Sequence, residues 1–416
     1  MEQRRGVKRR RCARDVSEYA LLGPVGEGAY GVVWKANDPL TGDMVALKMI
    51  KTGAESGAPD AELGFPITSV REIRILKLLR HDNIINLKDV VTDMEGKMKG
   101  GKAGDVYMVF EYMDADLEGI MKTPDVQLNR NYIKSFMHQL LCGLDFMHRH
   151  KVIHRDLKGA NLLINANGCL KIGDFGLARS MHEHMKQLTS KVITLWYRPP
   201  ELLMRATLYG TDVDMWSVGC IFGEMLQRVA ILPGKDEQEQ MELIFGLCGT
   251  PTPESWPGVA KLPDWESCWK PKVVQRPRER TLQHRFRHLD RNVVDLLDRL
   301  LQLDPAKRIT ATQALDHNYF FDHPAVVAPG GLPPLSFTSC HEFEAKQRQA
   351  KERADRHRQD EERRAQQAEQ KRLAAAQSRG PYRAPGGGRG GGRGGRGGNW
   401  GRGGRQPAVS KESTGW

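Results

Sequence analysis

Apolar and polar residues alternate along much of the first hundred residues, with the period of two that is typical of strands. The segments at 19–38 (YALLGPVGEGAYGVVWKAND) and 43–50 (DMVALKMI) alternate around glycines, as β-hairpins do. The run at 105–113 (DVYMVFEYM) is apolar but too short for a helix, which favours another strand. The first part of the chain is therefore predicted to be mainly β-structure.

Two segments carry helical patterns. The first, at 68–80 (TSVREIRILKLLR), follows Pro66, and Thr68 or Ser69 is expected to cap its N-terminus. The second, at 132–150, has apolar residues at i, i+3, i+4, i+7, i+8 and i+11, which form one continuous apolar face. These residues are Ile133, Phe136, Met137, Leu140, Leu141 and Leu144.

From the second helix to about residue 325, helical segments and loops dominate the pattern. The order of elements predicts an α+β fold of two lobes. A small β-rich lobe with one key helix is expected over 19–113, and a larger, mainly helical lobe over 114–325. Residues 326–340 are expected to be a short segment that follows the folded domain.

The composition changes towards both ends of the chain. Residues 341–378 contain almost no large apolar side chains but carry opposite charges at helical spacing, which predicts a solvated, partly helical extension. Residues 379–416 repeat arginine within glycine, a low-complexity pattern that does not fold alone. Residues 1–18 are expected to be a disordered basic arm.

The net charge of +12 belongs to these ends. Residues 1–18 hold seven Lys and Arg against three acidic residues, and residues 341–416 hold eighteen against nine, which leaves −1 for residues 19–340. Attraction to nucleic acid is therefore expected at the two ends and not in the folded body. The basic cluster before residue 12 is typical of nuclear import signals, and equally of an arm with loose affinity for anions.

Several functional classes are incompatible with the sequence. No apolar run approaches the roughly 20 residues of a membrane span, so no membrane partner is expected. The N-terminus lacks the apolar core of a secretory signal. The seven cysteines are scattered without a CxxC pair, which indicates reduced thiols in cytosol or nucleus and no zinc site. His138, His148 and His150 are interpreted as satisfied or exposed histidines without a ligand role.

One segment, VIHRDLKGANLLI at 152–164, places polar residues between apolar ends. Its Asp156, Lys158 and Asn161 are each costly to bury without a partner. The substrates of a phosphoryl transfer would supply such partners. Asp156 can accept the proton of an incoming hydroxyl group, and Lys158 can neutralise charge on the phosphoryl group that is transferred.

Other motifs supply the remaining groups for this chemistry. Lys48 lies within an apolar strand, where its ammonium group needs anions such as a phosphate and the carboxylate of Glu72. Asp174 opens the triplet DFG, and with Asn161 it provides the oxygen ligands that Mg²⁺ prefers. The glycine-rich segment at 26–33 (GEGAYGVV) allows backbone N–H groups to approach phosphates closely.

Each of these features alone has an ordinary structural explanation. Glycine-rich hairpin turns are common, and a lysine such as Lys48 is often exposed on a strand edge. Five residues occur together, in a fixed order and on the expected elements: Lys48, Glu72, Asp156, Asn161 and Asp174. That combination indicates phosphoryl transfer from a magnesium-bound nucleotide.

In these motifs residues 19–325 resemble the eukaryotic protein kinases of the Ser/Thr branch. The triplet PPE ending at Glu201 stands where that family has Ala-Pro-Glu, and the resemblance implies a buried ion pair between Glu201 and Arg308. The segment at 65–72 (FPITSVRE) is similar to the signature helix of the cyclin-dependent kinases of transcription elongation. The motif SCHEF at 339–343, with the tails that follow it, is most similar to plant and green-algal C-type kinases.

The resemblance implies a nuclear kinase that depends on ATP and Mg²⁺. Its implied partner is a cyclin, of the T type. Its implied substrate is the Ser-Pro repeat in the C-terminal tail of the largest subunit of RNA polymerase II, and its implied role is to promote transcription elongation. The implied catalytic residues are Asp156, Lys158, Lys48 and Glu72, and the implied metal ligands are Asn161 and Asp174.

The resemblance also predicts a nucleotide pocket. Phe110 is the implied gatekeeper, and backbone groups of Glu111 and Met113 are expected to hold adenine. The full nucleotide-binding set is Val25, Gly26, Glu27, Gly28, Ala29, Tyr30, Gly31, Val32, Val33, Ala46, Lys48, Phe110, Glu111, Tyr112, Met113, Asp116, Asn161, Leu163 and Asp174.

Regulation is implied in the same way. Three arginines are expected to converge on an activating phosphate at Thr189, because the modification adds charge that paired cations accommodate. They are Arg71, Arg155 and Arg179. Thr194 is expected to hydrogen-bond both Asp156 and Lys158.

Further implications concern the substrate, the partner and a departure from the family. Val192 and Ile193 are expected to shape the pocket for the proline that follows the target residue. Without a cyclin, the helix that carries Glu72 is expected to move away from Lys48. Gly173 precedes the DFG triplet where the family commonly has alanine, which loosens the backbone without altering the chemistry.

A second hypothesis comes from another functional class. The kinase fold would be a scaffold, and the RGG-rich tail would bind RNA by arginine stacking and phosphate contacts. A degenerate catalytic residue would favour this hypothesis, and none is found. The tail also has the composition of a flexible, solubilising segment.

Overall fold

The structure is a computed structural model that describes residues 14–28, 31–50, 66–98, 102–123, 126–181, 188–333, His341 and several positions between 355 and 367. Its contacts divide the chain into two compact units, residues 1–352 and 353–416. The described positions of the second unit are helical and include an ion pair of 3.1 Å between Asp355 and Arg358. Among the described residues, no helix has the length and apolar character to cross a membrane.

The small lobe is built on a five-stranded antiparallel sheet. Its strands are β1 (Ala20–Gly28), β2 (Gly31–Asn37), β3 (Met44–Ile50), β4 (Leu87–Asp93) and β5 (Asp105–Glu111). They lie in the order β1-β2-β3-β5-β4, so the predicted hairpins are present. The pattern analysis missed β4, because its sequence LKDVVTD does not alternate cleanly and its strand is only partly buried.

Helix α1 (Ile67–Leu78) accompanies this sheet and carries Glu72, which is buried. The predicted N-cap at Thr68 or Ser69 is wrong. Pro66 occupies the N-cap position with φ −62° and ψ 130°, and no side chain caps the helix. Because proline already has a fixed φ near this value, the helix begins directly after it, and both hydroxyl residues lie in its first turn.

The large lobe is mainly helical. Its helices are α2 (Leu117–Lys122), α3 (Arg130–Arg149), α4 (Pro200–Leu203), α5 (Asp212–Gln227), α6 (Glu237–Cys248), α7 (Lys270–Gln275), α8 (Leu282–Arg285), α9 (Arg291–Leu300) and α10 (Ala311–Leu315). All six predicted apolar residues of α3 are buried, and α5 is buried along most of its length. The prediction of an α+β fold with a β-rich and a helical lobe is confirmed.

Short strands hold the loops that carry polar motif residues. These strands are β6 (Ala115–Asp116), β7 (Val152–Ile153), β8 (Leu162–Ile164), β9 (Leu170–Ile172) and β10 (Arg179–Ser180). They form a sheet of β10 with β7 and a sheet in the order β6-β8-β9. The loop at 154–161 therefore runs between two anchored strands, which explains the apolar ends of its motif.

A buried ion pair ties α4 to the chain beyond α9. Arg308 Nη1 and Nη2 donate to the two carboxylate oxygens of Glu201 at 2.8 and 3.1 Å, and neither side chain is more than 3% exposed. Arg308 also donates to the backbone carbonyls of Gln302, Leu303 and Asp212. One guanidinium group thus fixes three separate segments of the large lobe.

Candidate active site

A cavity of about 620 Å³ is lined by residues of both lobes. Thirteen of the nineteen residues predicted to bind the nucleotide line it. They are Val25, Gly26, Val33, Ala46, Lys48, Phe110, Glu111, Tyr112, Met113, Asp116, Asn161, Leu163 and Asp174. Glu27 pairs with Val32 and Gly28 with Gly31 at the tip of the β1–β2 hairpin. Ala29 and Tyr30 lie outside the described residues.

Lys48 stands at the centre of an ion-pair cluster in this cavity. Its Nζ atom is 2.9 Å from Glu72 Oε1 and 2.9 Å from Asp174 Oδ1. Strand β3 holds it between Val33 of β2 and Met108 of β5. Burial disfavours the charged form, but the carboxylates of Asp174 and Glu72 outweigh burial and raise the pKa of Lys48 above its ordinary value. The side chain is therefore a cation at any physiological pH.

Asp174 presents an ionised carboxylate to the cavity. Its backbone is left-handed, with φ 54°, at the turn that begins the DFG triplet. The ammonium group of Lys48 lowers the pKa of Asp174 to about 2, although burial acts in the opposite direction. The side chain remains 39% exposed, so the carboxylate is accessible to a ligand in the cavity.

The polar residues of the loop between β7 and β8 form a second cluster. Lys158 Nζ and Asn161 Nδ2 donate to Asp156 Oδ2 at 3.0 and 3.1 Å. Thr194 Oγ1 donates to Asp156 Oδ1 at 3.1 Å and accepts from Lys158 Nζ at 3.4 Å. The buried polar residues of the motif thus satisfy one another, and they hold the Asp156 carboxylate in a fixed orientation.

Buried groups beneath the loop fix its backbone. The fully buried carboxylate of Asp214 accepts hydrogen bonds from the backbone N–H groups of His154 and Arg155 at 2.9 and 3.0 Å. His148 Nε2 lies 3.0 Å from the same carboxylate. The ring of His154 reaches Gly173 O at 2.8 Å, which joins the loop to the residue before the DFG triplet. The sequence did not predict this role of Asp214.

Gly173 itself lines the cavity. A Cβ atom at this position would lie 3.0 Å from Leu163 Cδ1 and 3.3 Å from Leu163 Cγ. Glycine therefore leaves room for Leu163 in its observed position, whereas alanine requires that side chain to shift by a few tenths of an ångström.

The amide of Asn161 and the carboxylate of Asp174 fit a Mg²⁺ ion. Asn161 Nδ2 donates to Asp156 O at 2.6 Å and to Asp156 Oδ2 at 3.1 Å, so the amide oxygen faces another direction. An amide oxygen and an ionised carboxylate are hard oxygen ligands, and Mg²⁺ typically takes few protein ligands together with substrate phosphates. The donor set therefore suits magnesium bound together with a nucleotide.

The residues predicted to regulate activity meet through a tyrosine that the sequence analysis missed. Arg155 Nη1 donates to Tyr209 Oη at 2.9 Å, and Tyr209 Oη donates to Thr189 O at 2.8 Å. The side chain of Thr189 is exposed, whereas Arg71 and Arg179 are half-buried. Tyr209 thus connects one predicted phosphate ligand to the backbone of the predicted phosphorylation site.

The segment before α4 contains a strained residue. Ile193 has φ +67°, which is costly for a β-branched side chain, and it is only 3% exposed. Arg198 compensates for this strain. Its Nη2 atom donates to Ile193 O at 3.1 Å, and its Nε atom donates to Val192 O at 3.0 Å. Its Nη1 atom also pairs with Glu237 Oε1 at 2.7 Å. Val192 and Ile193 were predicted from the sequence, but Arg198, which holds their carbonyl groups, was not.

His341, from beyond the folded domain, also lines the cavity. Its ring meets the Tyr112 ring edge-on at 6.2 Å between centroids, and its Nδ1 atom is 3.6 Å from Asp116 Oδ2. Its Nε2 atom is buried and has no hydrogen-bond partner among the described residues. A bound nucleotide would offer such a partner. This position of His341 was not predicted from the sequence, although the motif SCHEF contributes to the resemblance.

Comparison with known proteins agrees with this geometry. The family model described as "Protein kinase domain" matches residues 19–320. The chain therefore belongs to the protein kinase family. The motif cluster around Asp156 and Asp174 lies within the matched region.

Similar proteins identify the branch of the protein kinase family to which the chain belongs. The chain is 49% identical to cyclin-dependent kinase C-1 of Arabidopsis thaliana, over 81% of this chain and 66% of that protein. It is 46% identical to cyclin-dependent kinase C-3 of Oryza sativa subsp. japonica, over 74% of this chain and 93% of that protein. Within the protein kinases it thus belongs to the cyclin-dependent kinases, and the resemblance to their C-type branch is confirmed.

A solved structure shows the same fold. The crystal structure of the yeast RNA Pol II CTD kinase CTDK-1 complex matches with a TM-score of 0.68 and 38% identity, over 79% of this chain and all of that chain. The protein spans about two thirds of the length of the Arabidopsis relative.

Proposed function

We propose that the protein is a cyclin-dependent Ser/Thr kinase that transfers the γ-phosphate of ATP to Ser-Pro or Thr-Pro sites. The observation that carries this proposal is the joint position of Lys48, Glu72 and Asp174 with Asp156 around one cavity. A scaffold would not need a lysine held between two carboxylates next to an oriented aspartate.

The small lobe and the DFG triplet bind the nucleotide in this proposal. Lys48 contacts the phosphates, and Glu72 keeps its ammonium group in place. Asn161 and Asp174 hold Mg²⁺, which when bound neutralises charge on the triphosphate. Asp174 leaves part of its carboxylate accessible for this purpose.

Asp156 acts on the substrate hydroxyl. The carboxylate accepts a hydrogen bond from the hydroxyl of Thr194 at its Oδ1 atom, which supports the proposal that this atom receives the substrate hydroxyl. A substrate Ser or Thr donates to the same carboxylate, and Asp156 takes its proton as the oxygen attacks the γ-phosphorus. Lys158, 3.0 Å from Asp156 Oδ2, stabilises the charge on the transferred group.

A kinase assay tests the central proposal. The full chain, purified with a T-type cyclin, is given ATP, Mg²⁺ and a Ser-Pro repeat peptide. Asp156→Asn is expected to lower kcat by roughly 10²–10⁴-fold, the usual contribution of a positioned base. Asp316→Asn, at an exposed position after α10, is the matched control and keeps full activity. Absence of phosphate on every Ser-Pro peptide would refute the proposal.

The strained segment supports a preference for proline after the target residue. Ile193 O is already bonded to Arg198, so it cannot accept the N–H group of a residue that packs on Val192 and Ile193. A buried, unsatisfied N–H costs about 1–3 kcal/mol, and proline has none. A Ser-Ala peptide is therefore expected to show a kcat/KM about 5- to 150-fold below that of the Ser-Pro peptide, and equal values would contradict this step.

Phosphorylation of Thr189 is proposed as the activating modification. The site is exposed, and Arg155 already contacts its backbone through Tyr209. Thr189→Val is expected to remove most activity of protein that has been phosphorylated in cells. Ser190→Ala, the adjacent hydroxyl residue, is the control, and equal losses in both variants would exclude a specific role of Thr189.

The exposed face of α1 is proposed to bind the cyclin. Ile67, Val70 and Leu78 are 55, 45 and 57% exposed although they are apolar. Val70→Asp is expected to abolish capture of a T-type cyclin, while Leu208→Asp, which changes an apolar residue of the large lobe that is 65% exposed, leaves capture intact. The expectation that α1 moves without a cyclin stays a prediction.

The substrate and cellular role follow from the relatives. Because a solved relative is a Pol II CTD kinase, we propose the polymerase repeat as substrate, transcription elongation as the process and the nucleus as the location. The domain bounds of 19–325 stay a prediction, as does nuclear import through the basic arm. Removing residues 1–14 and finding unchanged nuclear accumulation would dismiss that import signal.

RNA contact through the RGG-rich tail is a further part of the proposal. The tail lies outside the described residues, and its composition is the support for this step. Salt titration of RNA binding by the full chain, and by a chain that ends at residue 378, measures the contribution of the tail. Equal affinity of both chains at low salt would reject it.

A further inference from the structure

The large lobe contains a strongly basic segment that the proposed mechanism does not use. Residues 270–291 (KPKVVQRPRERTLQHRFRHLDR) hold eight Lys and Arg against two acidic residues, a net charge of +6. Because residues 19–340 carry −1 in total, the rest of that region carries −7. Apart from this basic segment, which comprises α7, α8 and the residues around them, the near-neutral body is therefore acidic in total.

Three of these cations form ion pairs within the large lobe. Arg278 pairs with Glu242 at 2.8 Å, and Arg280 pairs with Asp298 at 2.7 Å. Lys270 is similarly paired within its own helical turn. These pairs account for the way the segment packs against α6 and α9, and they leave other cations of the segment unexplained.

Arg285 forms no ion pair with a described residue, but its guanidinium group donates to Ile231 O and Gln227 Oε1. Four further cations are exposed and form neither an ion pair nor a side-chain hydrogen bond with any residue that the structure describes. They are Lys272, Arg276, Arg287 and Arg291, here called the basic surface. Lys272 Nζ lies over the ring of Trp269 at 4.6 Å and otherwise faces solvent. Uncompensated arginines on an acidic body are a marker of an anionic partner, because unpaired like charges only repel one another.

The surroundings of the basic surface distinguish between anionic partners. Single-stranded RNA is usually gripped by exposed aromatic rings on which bases stack. In this fully described segment Phe286 is completely buried, and the neighbouring Trp269 is only 7% exposed. The exposed rings of the segment are the imidazoles of His284 and His288, and it presents no exposed Phe, Tyr or Trp ring. Arginines in such surroundings suit phosphate groups carried on a flexible polypeptide, which the planar guanidinium binds in bidentate fashion.

We propose that the basic surface docks phosphoserine residues of the repetitive substrate, in repeats that have already been modified. This inference rests on the proposed function. Each transfer adds about −1.5 to −2 charge to the substrate, so a partly modified repeat chain is a polyanion. The rest of the acidic body repels such a chain, and the basic surface retains it while the next Ser-Pro site reaches Asp156.

The test compares charge removal at the basic surface with removal elsewhere. The double variant Arg276→Gln/Arg287→Gln is prepared as the full chain with its cyclin. The matched control is Lys261→Gln/Arg299→Gln, which removes two exposed charges from the same lobe. Fluorescence anisotropy without ATP measures binding of a labelled four-repeat Ser-Pro peptide, either unmodified or phosphorylated at alternate repeats.

The double variant is expected to bind the phosphorylated peptide about tenfold more weakly than the unaltered protein does, as loss of two phosphate–arginine contacts implies. Binding of the unmodified peptide, kcat on that peptide and the thermal midpoint are expected to stay unchanged. The control variant is expected to behave as the unaltered protein does.

Three outcomes would overturn the inference. The double variant binds the phosphorylated peptide normally, or both peptides lose affinity equally, or the variant loses binding of a single-stranded RNA of equal charge but keeps binding of the phosphopeptide. The last outcome makes the basic surface an RNA site. Binding is measured without ATP, so it tests the basic surface alone. The kinase activity is tested separately, by phosphorylation of the unmodified peptide with ATP, and the two failures can therefore be distinguished.

Discussion

Replacement of Arg308 by methionine is expected to be the most destabilising single change in the large lobe that we can argue from contacts. Methionine keeps much of the side-chain volume and removes the guanidinium group. Glu201, 3% exposed, then has a buried carboxylate without a cation. The backbone carbonyls of Gln302, Leu303 and Asp212 lose a donor at the same time.

The magnitude follows from these contacts. Breaking a buried ion pair by removal of one partner costs about 3–5 kcal/mol. A domain of ordinary stability has an unfolding free energy of about 5–15 kcal/mol, so the single variant loses about a fifth or more of that stability. Removal of both charges is much less costly, because well-packed apolar residues replace a buried pair with little penalty.

The loss also depends on pH. Without Arg308, burial raises the pKa of Glu201 in the folded state above its value in the unfolded chain. Below the unfolded pKa the carboxyl is protonated in both states and carries no charge penalty, and the penalty grows as pH rises towards the folded pKa. Arg308→Met is therefore expected to be less destabilised at pH 5 than at pH 8.

Urea unfolding of four proteins measures these effects: the unaltered chain, Arg308→Met, Glu201→Leu and the double variant. Each single variant is expected to lose about 3–5 kcal/mol, and the double variant clearly less than the sum. The reasoning fails if Arg308→Met stays within about 1 kcal/mol of the unaltered chain, or if the two losses simply add.

Three predictions concern the cavity. Lys48→Met is expected to lower kcat/KM by about 100-fold or more, and an unchanged rate would contradict the role of its ammonium group. His341→Ala is expected to weaken ATP binding about threefold to tenfold in calorimetry, through loss of one hydrogen bond from the buried Nε2 atom; unaltered affinity would exclude that contact. The ratio of the nucleotide affinities of the unaltered chain and of Asp174→Asn is expected to stay constant between pH 8 and 5. The pKa of Asp174, about 2, lies below the ordinary 3.8, so its charge is lost only as pH falls towards 2, whereas the phosphates of the nucleotide titrate alike with both proteins; a change of this ratio near pH 6 would argue against this.

The sequence predicted best those site residues that lie within short motifs. Lys48, Asp156 and Asp174 were found because a charged side chain in an apolar strand or loop needs a partner, and the motif order named that partner. The same reasoning applied to Glu72, 24 positions from Lys48 along the chain. The neighbouring residues and the order of the motifs were sufficient to predict these residues, because each is a charged side chain within an apolar segment.

Residues that support the site by hydrogen bonds to backbone carbonyl groups were missed. Arg198 and Tyr209 contact carbonyl oxygens of Ile193 and Thr189, and carbonyl groups leave no trace in the sequence. His341 reaches the cavity from more than 200 positions beyond Tyr112, a contact that no periodicity encodes. Distant contacts to backbone or ring atoms thus mark the limit of motif reasoning in this chain.

The misplaced cap of α1 has a different cause. Hydroxyl residues usually precede a helix, but Pro66 fixes the backbone that Thr68 was expected to shape. The consequence reaches the active site, because the first residue of α1 sets the rotation of the helix and hence the direction of Glu72. A change at position 66 therefore acts on the distance between Glu72 and Lys48, now 2.9 Å, and not only on helix stability.

The polar residues around Asp156 raise a last physical point. In the structure the Asp156 carboxylate accepts hydrogen bonds from Lys158, Asn161 and Thr194, so its orientation is set before a substrate binds. Such preorganised dipoles need no rearrangement at the moment of reaction, which is why they lower the barrier. The buried carboxylate of Asp214 holds the loop in one geometry, and its removal leaves the backbone N–H groups of His154 and Arg155 without an acceptor. Damage to Asp214 is therefore expected to cost stability and also to lower kcat before it changes the affinity for substrate.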